Sequence, residues 1–157
     1  LMSEKLKADE SAAATELGYI FTFLLGVMLL SMFSLWAFGI ENSTRENWNG
    51  AAIKDNADRI ASAIERADSA SRNINNASYA EPVHLTDFDA AGDTITLLLL
   101  ERELIVDDST NMHSLTIQLS GAGNSSHSGE INLNGIDVIW VIHENGQTYI
   151  TTKHPSW

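Results

Sequence analysis

Five histidines, at positions 84, 113, 127, 143 and 154, are the side chains best suited to acid–base or metal chemistry, and their spacing serves neither. No two are four residues apart on a helical pattern, and the chain has no cysteine to complete a thiolate or mixed zinc site. They read as surface or strand histidines. Asp87, Asp89 and Asp93 gather around Gly92 and could offer oxygen ligands. The calcium-loop pattern and its flanking helices are missing, so these read as solvated turn residues. The serines include no Gly-x-Ser-x-Gly elbow, and no glycine-rich phosphate loop occurs. Nothing here calls for an enzyme, a cofactor or a metal. The chemistry that the residues do allow is modification. Asn42-Ser43-Thr44, Asn76-Ala77-Ser78 and Asn124-Ser125-Ser126 make Asn42, Asn76 and Asn124 candidate glycosylation acceptors if they face outside.

Charge narrows the partners. The chain carries a net −12, and residues 41–157 hold 17 acidic against 7 basic side chains, a net −10. Phosphates need a basic face, so nucleic acid is excluded as a partner, and docking of this part on anionic lipid is disfavoured. The excess reads as a solvated acidic surface. Absence of disulfides in an exported domain weakly favours a prokaryotic source.

The element that must carry everything else is Leu17–Ile40, 24 residues without a charge. At about 1.5 Å per residue such a helix covers the ~30 Å hydrocarbon core of a bilayer. Tyr19 and Trp36 lie near its two ends, where amphipathic rings favour the membrane–water boundary. The run is too long for the apolar part of a cleaved secretory signal, and Ala37-Phe38-Gly39 is a poor cleavage site. Lys5 and Lys7 before the run balance Arg45 and Lys54 after it, so charge alone does not orient the span. The short tail and the glycosylation triplets place the N-terminus inside and the C-terminal part outside.

A second helical pattern runs from about Glu46 to Ser71. Ile53, Ala57, Ile60, Ile64 and Ala67 recur at steps of four and three and define one apolar stripe, a stem suited to pack on its own chain's sheet or, as the lesser alternative, to line a partner helix. Lys54, Asp55, Asp58, Arg59, Glu65, Arg66 and Asp68 fall on the other faces, with Asp55–Arg59 at the favourable acid-before-base spacing. Glu41-Asn42-Ser43-Thr44 offers capping residues, and Asn49-Gly50 could bend the junction between span and stem. Beyond an Asn-rich loop at 73–80 the chain turns β. Strands are expected at 82–88, 93–101, 104–106 and 115–119, with an exposed Gly/Ser loop at 121–129. Ile131–Leu133, Ile136–His143 and Gln147–Lys153, joined by Asn134-Gly135 and Asn145-Gly146, predict an antiparallel meander with its middle strand central. The expected fold class is α+β: a transmembrane helix continuing into an amphipathic stem packed on an antiparallel sheet. The expected divisions are a tail or leader at 1–16, the span at 17–40, the stem and loop at 41–75, and a β-rich head at 76–157.

This order of parts resembles type IV pilins, and especially the pilin-like proteins of archaea. Glu16-Leu17-Gly18-Tyr19-Ile20 is similar to the start of the hydrophobic helix in that family. Asn56-Ala57-Asp58-Arg59-Ile60-Ala61, Leu104-Ile105-Val106 and Leu115-Thr116-Ile117 are similar in style to its minor-pilin members. The resemblance implies a structural subunit of a surface filament, with the membrane and other pilin-like subunits as partners. Its helix would rest in lipid until extracted into a filament core. Glu16, Leu17, Gly18, Tyr19, Ile20, Phe23, Leu24 and Val27 would be the assembly residues, Glu16 compensating a neighbour's positive charge. The sequence departs from the family at the processing site. Lys7-Ala8 is followed at once by Asp9-Glu10, and a cut before Ala12, which would place Glu16 fifth, lacks the basic residue. The alternative function is a permanently anchored extracellular β domain that binds a surface-layer or other surface partner.

Overall fold

The computed structural model describes residues 2–73, 77–88, 95–120 and 125–157, with side chains of the long helix from Thr15 to Arg72. Helix α1 spans Met2–Asn73 and is followed by seven strands: β1 Tyr79–His84, β2 Ile95–Leu99, β3 Glu103–Asp108, β4 Leu115–Gln118, β5 Ser126–Asn132, β6 Val138–Glu144 and β7 Gln147–Thr151. The layout is α+β. The chain divides into two compact units, Leu1–Thr44 and Arg45–Trp157.

In the first unit the side chains described from Thr15 onward are exposed or, at Ser34, half-exposed. The expected caps at Glu41–Thr44 do not end a helix, and Asn49-Gly50 does not interrupt α1. Weak propensity at two or three residues costs only about 1 kcal/mol each, which flanking turns of good helix formers absorb.

In the second unit the helical segment contributes Ile53, Ala57, Ile60, Ala61, Ala63, Ile64 and Ala67 to one buried cluster with Leu97, Leu99, Leu104, Val106, Ile131, Ile139, Val141 and Ile150. The stripe is wider than the sequence pattern suggested. It includes Asn56, and it includes Asp68, which was expected on a solvent face and is only 3% exposed. Asp55 and Arg59 pair on the outer face, 2.7 Å apart.

The strands form one mixed sheet in the order β1-β6-β7-β5-β2-β3-β4. β6 and β7 make the expected hairpin, with positive φ at both Asn145 and Gly146, as a type I′ turn requires. The rest of the predicted meander is not formed. β5 pairs with β2 and runs parallel to β7, and β6 lies between β7 and the edge strand β1 rather than at the centre. At Asn134-Gly135 only the glycine has positive φ, so this turn does not close a tight hairpin. The Gly/Ser segment read as a loop is partly strand, because β5 begins at Ser126. Gly129 explains why the two strands can run together. Its φ is +154°, and a Cβ there would lie 2.4 Å from Ile150 Cγ1. Only glycine lets β7 approach so closely. Pro82 sits in edge strand β1, where its missing N–H is tolerated.

Candidate functional site

Two features of the chain have functional potential, one on each unit. The first is the apolar surface of α1. Leu17, Tyr19, Ile20, Phe23, Leu24 and Val27 are all 46–73% exposed, and large apolar side chains continue to Ile40. None of the apolar window is buried inside the protein, and the helix is long and apolar enough to cross a membrane. The three aliphatic hydroxyls within residues 17–40 are self-contained. Thr22, Ser31 and Ser34 each donate a hydroxyl to the carbonyl four residues earlier, at 2.8, 2.8 and 2.9 Å. A hydroxyl satisfied by its own helix carries little desolvation penalty into lipid or into a helix bundle. Glu16 and Gly18 are exposed on the same helix, and no heavy atom lies within 4 Å of a Cβ built at Gly18.

The second feature was not legible as a cluster in the sequence. Asp68 of α1, His127 of β5, Thr148 of β7 and His143 of β6 are all under 8% exposed and form one connected polar group inside the second unit. Asp68 Oδ2 meets His127 Nε2 at 2.8 Å, and Asp68 Oδ1 accepts from Ser125 Oγ at 2.7 Å and from Thr148 Oγ1 at 2.9 Å. His127 Nδ1 faces the Glu101 carbonyl oxygen at 2.6 Å, and His143 Nδ1 faces Thr148 Oγ1 at 2.8 Å. Thr148 spends its one proton on Asp68, so His143 Nδ1 must be the donor to Thr148. Among the described residues no buried side-chain nitrogen or oxygen lacks a partner.

Burial pushes the Asp68 carboxyl up, but the hydrogen bonds from His127, Ser125 and Thr148 outweigh it and hold the acid below its ordinary range. The hydrogen bond to Asp68 raises His127 above the usual imidazole value, burial opposing it and the Glu101 carbonyl assisting. Serine, histidine and aspartate are all present, yet they are not wired for nucleophilic catalysis. Ser125 donates to the aspartate rather than to the imidazole, and both nitrogens of His127 are already engaged. The arrangement joins the helix to β5, β7 and the β2–β3 turn.

The remaining candidates stay apart. Among the described residues no group of three or more His, Asp or Glu could hold a metal ion. His84 is exposed on β1, and His154 stacks edge-on against Trp140 with ring centroids 4.6 Å apart. Asp87 lines a cleft of about 180 Å³ with Asp137 and Asn134. Asp89, Gly92, Asp93, Asn76 and Asn124 lie outside the described residues. Asn42 is exposed on α1; residues two apart on a helix do not face each other, so it is not presented beside Thr44. Ile53, Ala57, Ile60 and Ile64 are at most 1% exposed.

One signal for the buried cluster was available. His127, Gly129, Ile131 and Leu133 alternate at period two, which puts the histidine on the inward face of a strand. Comparison with known proteins adds nothing to this picture: no protein-family model, no curated protein and no solved structure matches the chain.

Proposed function

We propose that this chain is a pilin-like structural subunit of a cell-surface filament, or a filament-associated one, held by helix–helix packing. Before assembly residues 17–40 of α1 rest in the cell membrane, with the C-terminal unit outside. The observation that carries the reading is a helix whose residues 17–40 leave every large apolar side chain exposed, while its later residues supply the core of a folded head. So large a continuous apolar surface is not stable against water and calls for lipid or other apolar helices. Burial in either is worth ~25 cal/mol per Å², so the same helix can leave one for the other. Glu16 sits where the apolar run begins and is placed to compensate a positive charge on a neighbouring subunit. The acidic head coats the outside and keeps assembled subunits soluble.

The test is to shear surface fibres from native cells and to identify their proteins, with the native N-terminus, by mass spectrometry. The reading predicts this chain in the fibres, starting at Asp9 or Ala12. Fibres that lack it, together with membranes that retain an intact tail, would instead support a permanently anchored head that binds a surface partner.

A further inference from the structure

We propose that Asp68 and His127 form an alkaline-sensitive latch, which clamps the helix of the second unit onto β5 and the β2–β3 turn while the imidazole carries both of its protons. The argument is one of donors and acceptors. His127 Nδ1 points at a backbone carbonyl, and its Nε2 points at a carboxylate that already receives two hydroxyl protons. With Asp68 ionised, as its lowered carboxyl favours, both oxygens are acceptors only. The two contacts are therefore satisfied together only by the imidazolium. A neutral ring has one N–H. Keeping it on Nδ1 turns the Nε2 lone pair on Asp68 at 2.8 Å, and keeping it on Nε2 turns the Nδ1 lone pair on the Glu101 oxygen at 2.6 Å. Either tautomer sets two lone pairs against each other in a pocket where the two side chains are 2% and 5% exposed, and a ring flip would turn carbons Cδ2 and Cε1 on the two oxygens and lose both hydrogen bonds.

Among the described residues, the charged groups that act on the ring are both acidic, Asp68 and Glu101. Asp68 faces the ring from α1, and Glu101 adds its carbonyl and a nearby carboxylate from the β2–β3 turn. From β6, His143 reaches Asp68 only through Thr148 of β7. On β5 the neighbours Ser126 and Ser128 are uncharged. The two edges of stability then belong to different residues. His127 is raised by folding, so its contribution is complete below its unfolded value of about 6.5 and is lost as pH rises through the folded value. Asp68 is depressed, so its contribution is complete above about 3.9 and is lost as pH falls through the folded value. The acid edge is ordinary for a folded domain. The alkaline edge is the signature of the latch.

Two measurements on the full chain in nonionic micelles test this, and neither depends on the filament reading. In histidine-labelled protein at pH 7, nitrogen-detected NMR should find both ring nitrogens of His127 protonated, with the second proton lost above the ordinary imidazole range. The melting temperature should fall between pH 7 and pH 9.5, and His127→Gln should flatten that alkaline fall. A singly protonated His127 ring at pH 7 overturns the proposal, and so does an alkaline fall of equal size in a folded His127→Gln variant. If that variant does not fold, the ring-nitrogen measurement on the unmutated chain decides alone.

Discussion

Ile60→Ala separates the two halves of the long helix by what each does to stability. Ile60 is fully buried in the cluster shared by the helix and the sheet. The substitution deletes three carbons, worth about 0.8 kcal/mol each on transfer from water. A residual void of roughly 50 Å³ after relaxation, at about 24 cal/mol per Å³, adds about 1 kcal/mol more. The expected loss is therefore about 3–4 kcal/mol. For a unit of this size that lowers the melting temperature by roughly 12–16 °C. The assay is thermal unfolding of the full chain in nonionic micelles, followed by near-UV circular dichroism. Ile20→Ala removes the same atoms from a side chain that is 56% exposed, and it should move the transition of the head by no more than about 0.5 kcal/mol. A loss below about 1 kcal/mol for Ile60→Ala would refute the packing argument, because it would mean that this face of the helix is not held by its own chain's sheet.

Gly129→Ala should cost about 2–4 kcal/mol, because the added Cβ meets Ile150 and the backbone of β7 and because φ is unfavourable for any other residue; denaturant unfolding measures it, and a near-neutral result would deny the close approach of β5 to β7. Asn56→Ala removes both hydrogen bonds to the backbone of Thr86, at 2.8 and 2.7 Å. Thr86 itself is exposed, so water replaces part of the loss and the expected cost is about 1–2 kcal/mol. Hydrogen exchange at the Thr86 amide should accelerate in the same variant, and unchanged protection there would count against these two bonds.

What was legible in the sequence followed the strength of the period. The steps of four and three from Ile53 to Ala67 located the buried face, because a helix repeats its environment on a fixed angle. Asn145-Gly146 located its hairpin, because two consecutive positive-φ residues select one turn type. Asn134-Gly135 carries the same dipeptide, yet its asparagine keeps negative φ and the strands on either side find different partners. Local turn chemistry therefore did not fix strand order. The parallel pairing of β5 with β7 rests on a contact between Gly129 and Ile150, which no spacing reveals, and the glycine itself argued for a loop. Asp68 was assigned to solvent by its charge. It is buried because three donors converge on it, from β5, from Ser125 just before β5 and from β7, and such convergence is a property of topology rather than of sequence neighbours. The apolar run needed no tertiary information.

The most direct measurement of the central claim is detergent-free fractionation of native cells, followed by sedimentation of whichever fraction holds the chain. Residues 17–40 should keep all of it in the membrane pellet or in surface fibres, with release only on addition of detergent. Recovery of the full-length chain as a monodisperse, water-soluble monomer would contradict the account.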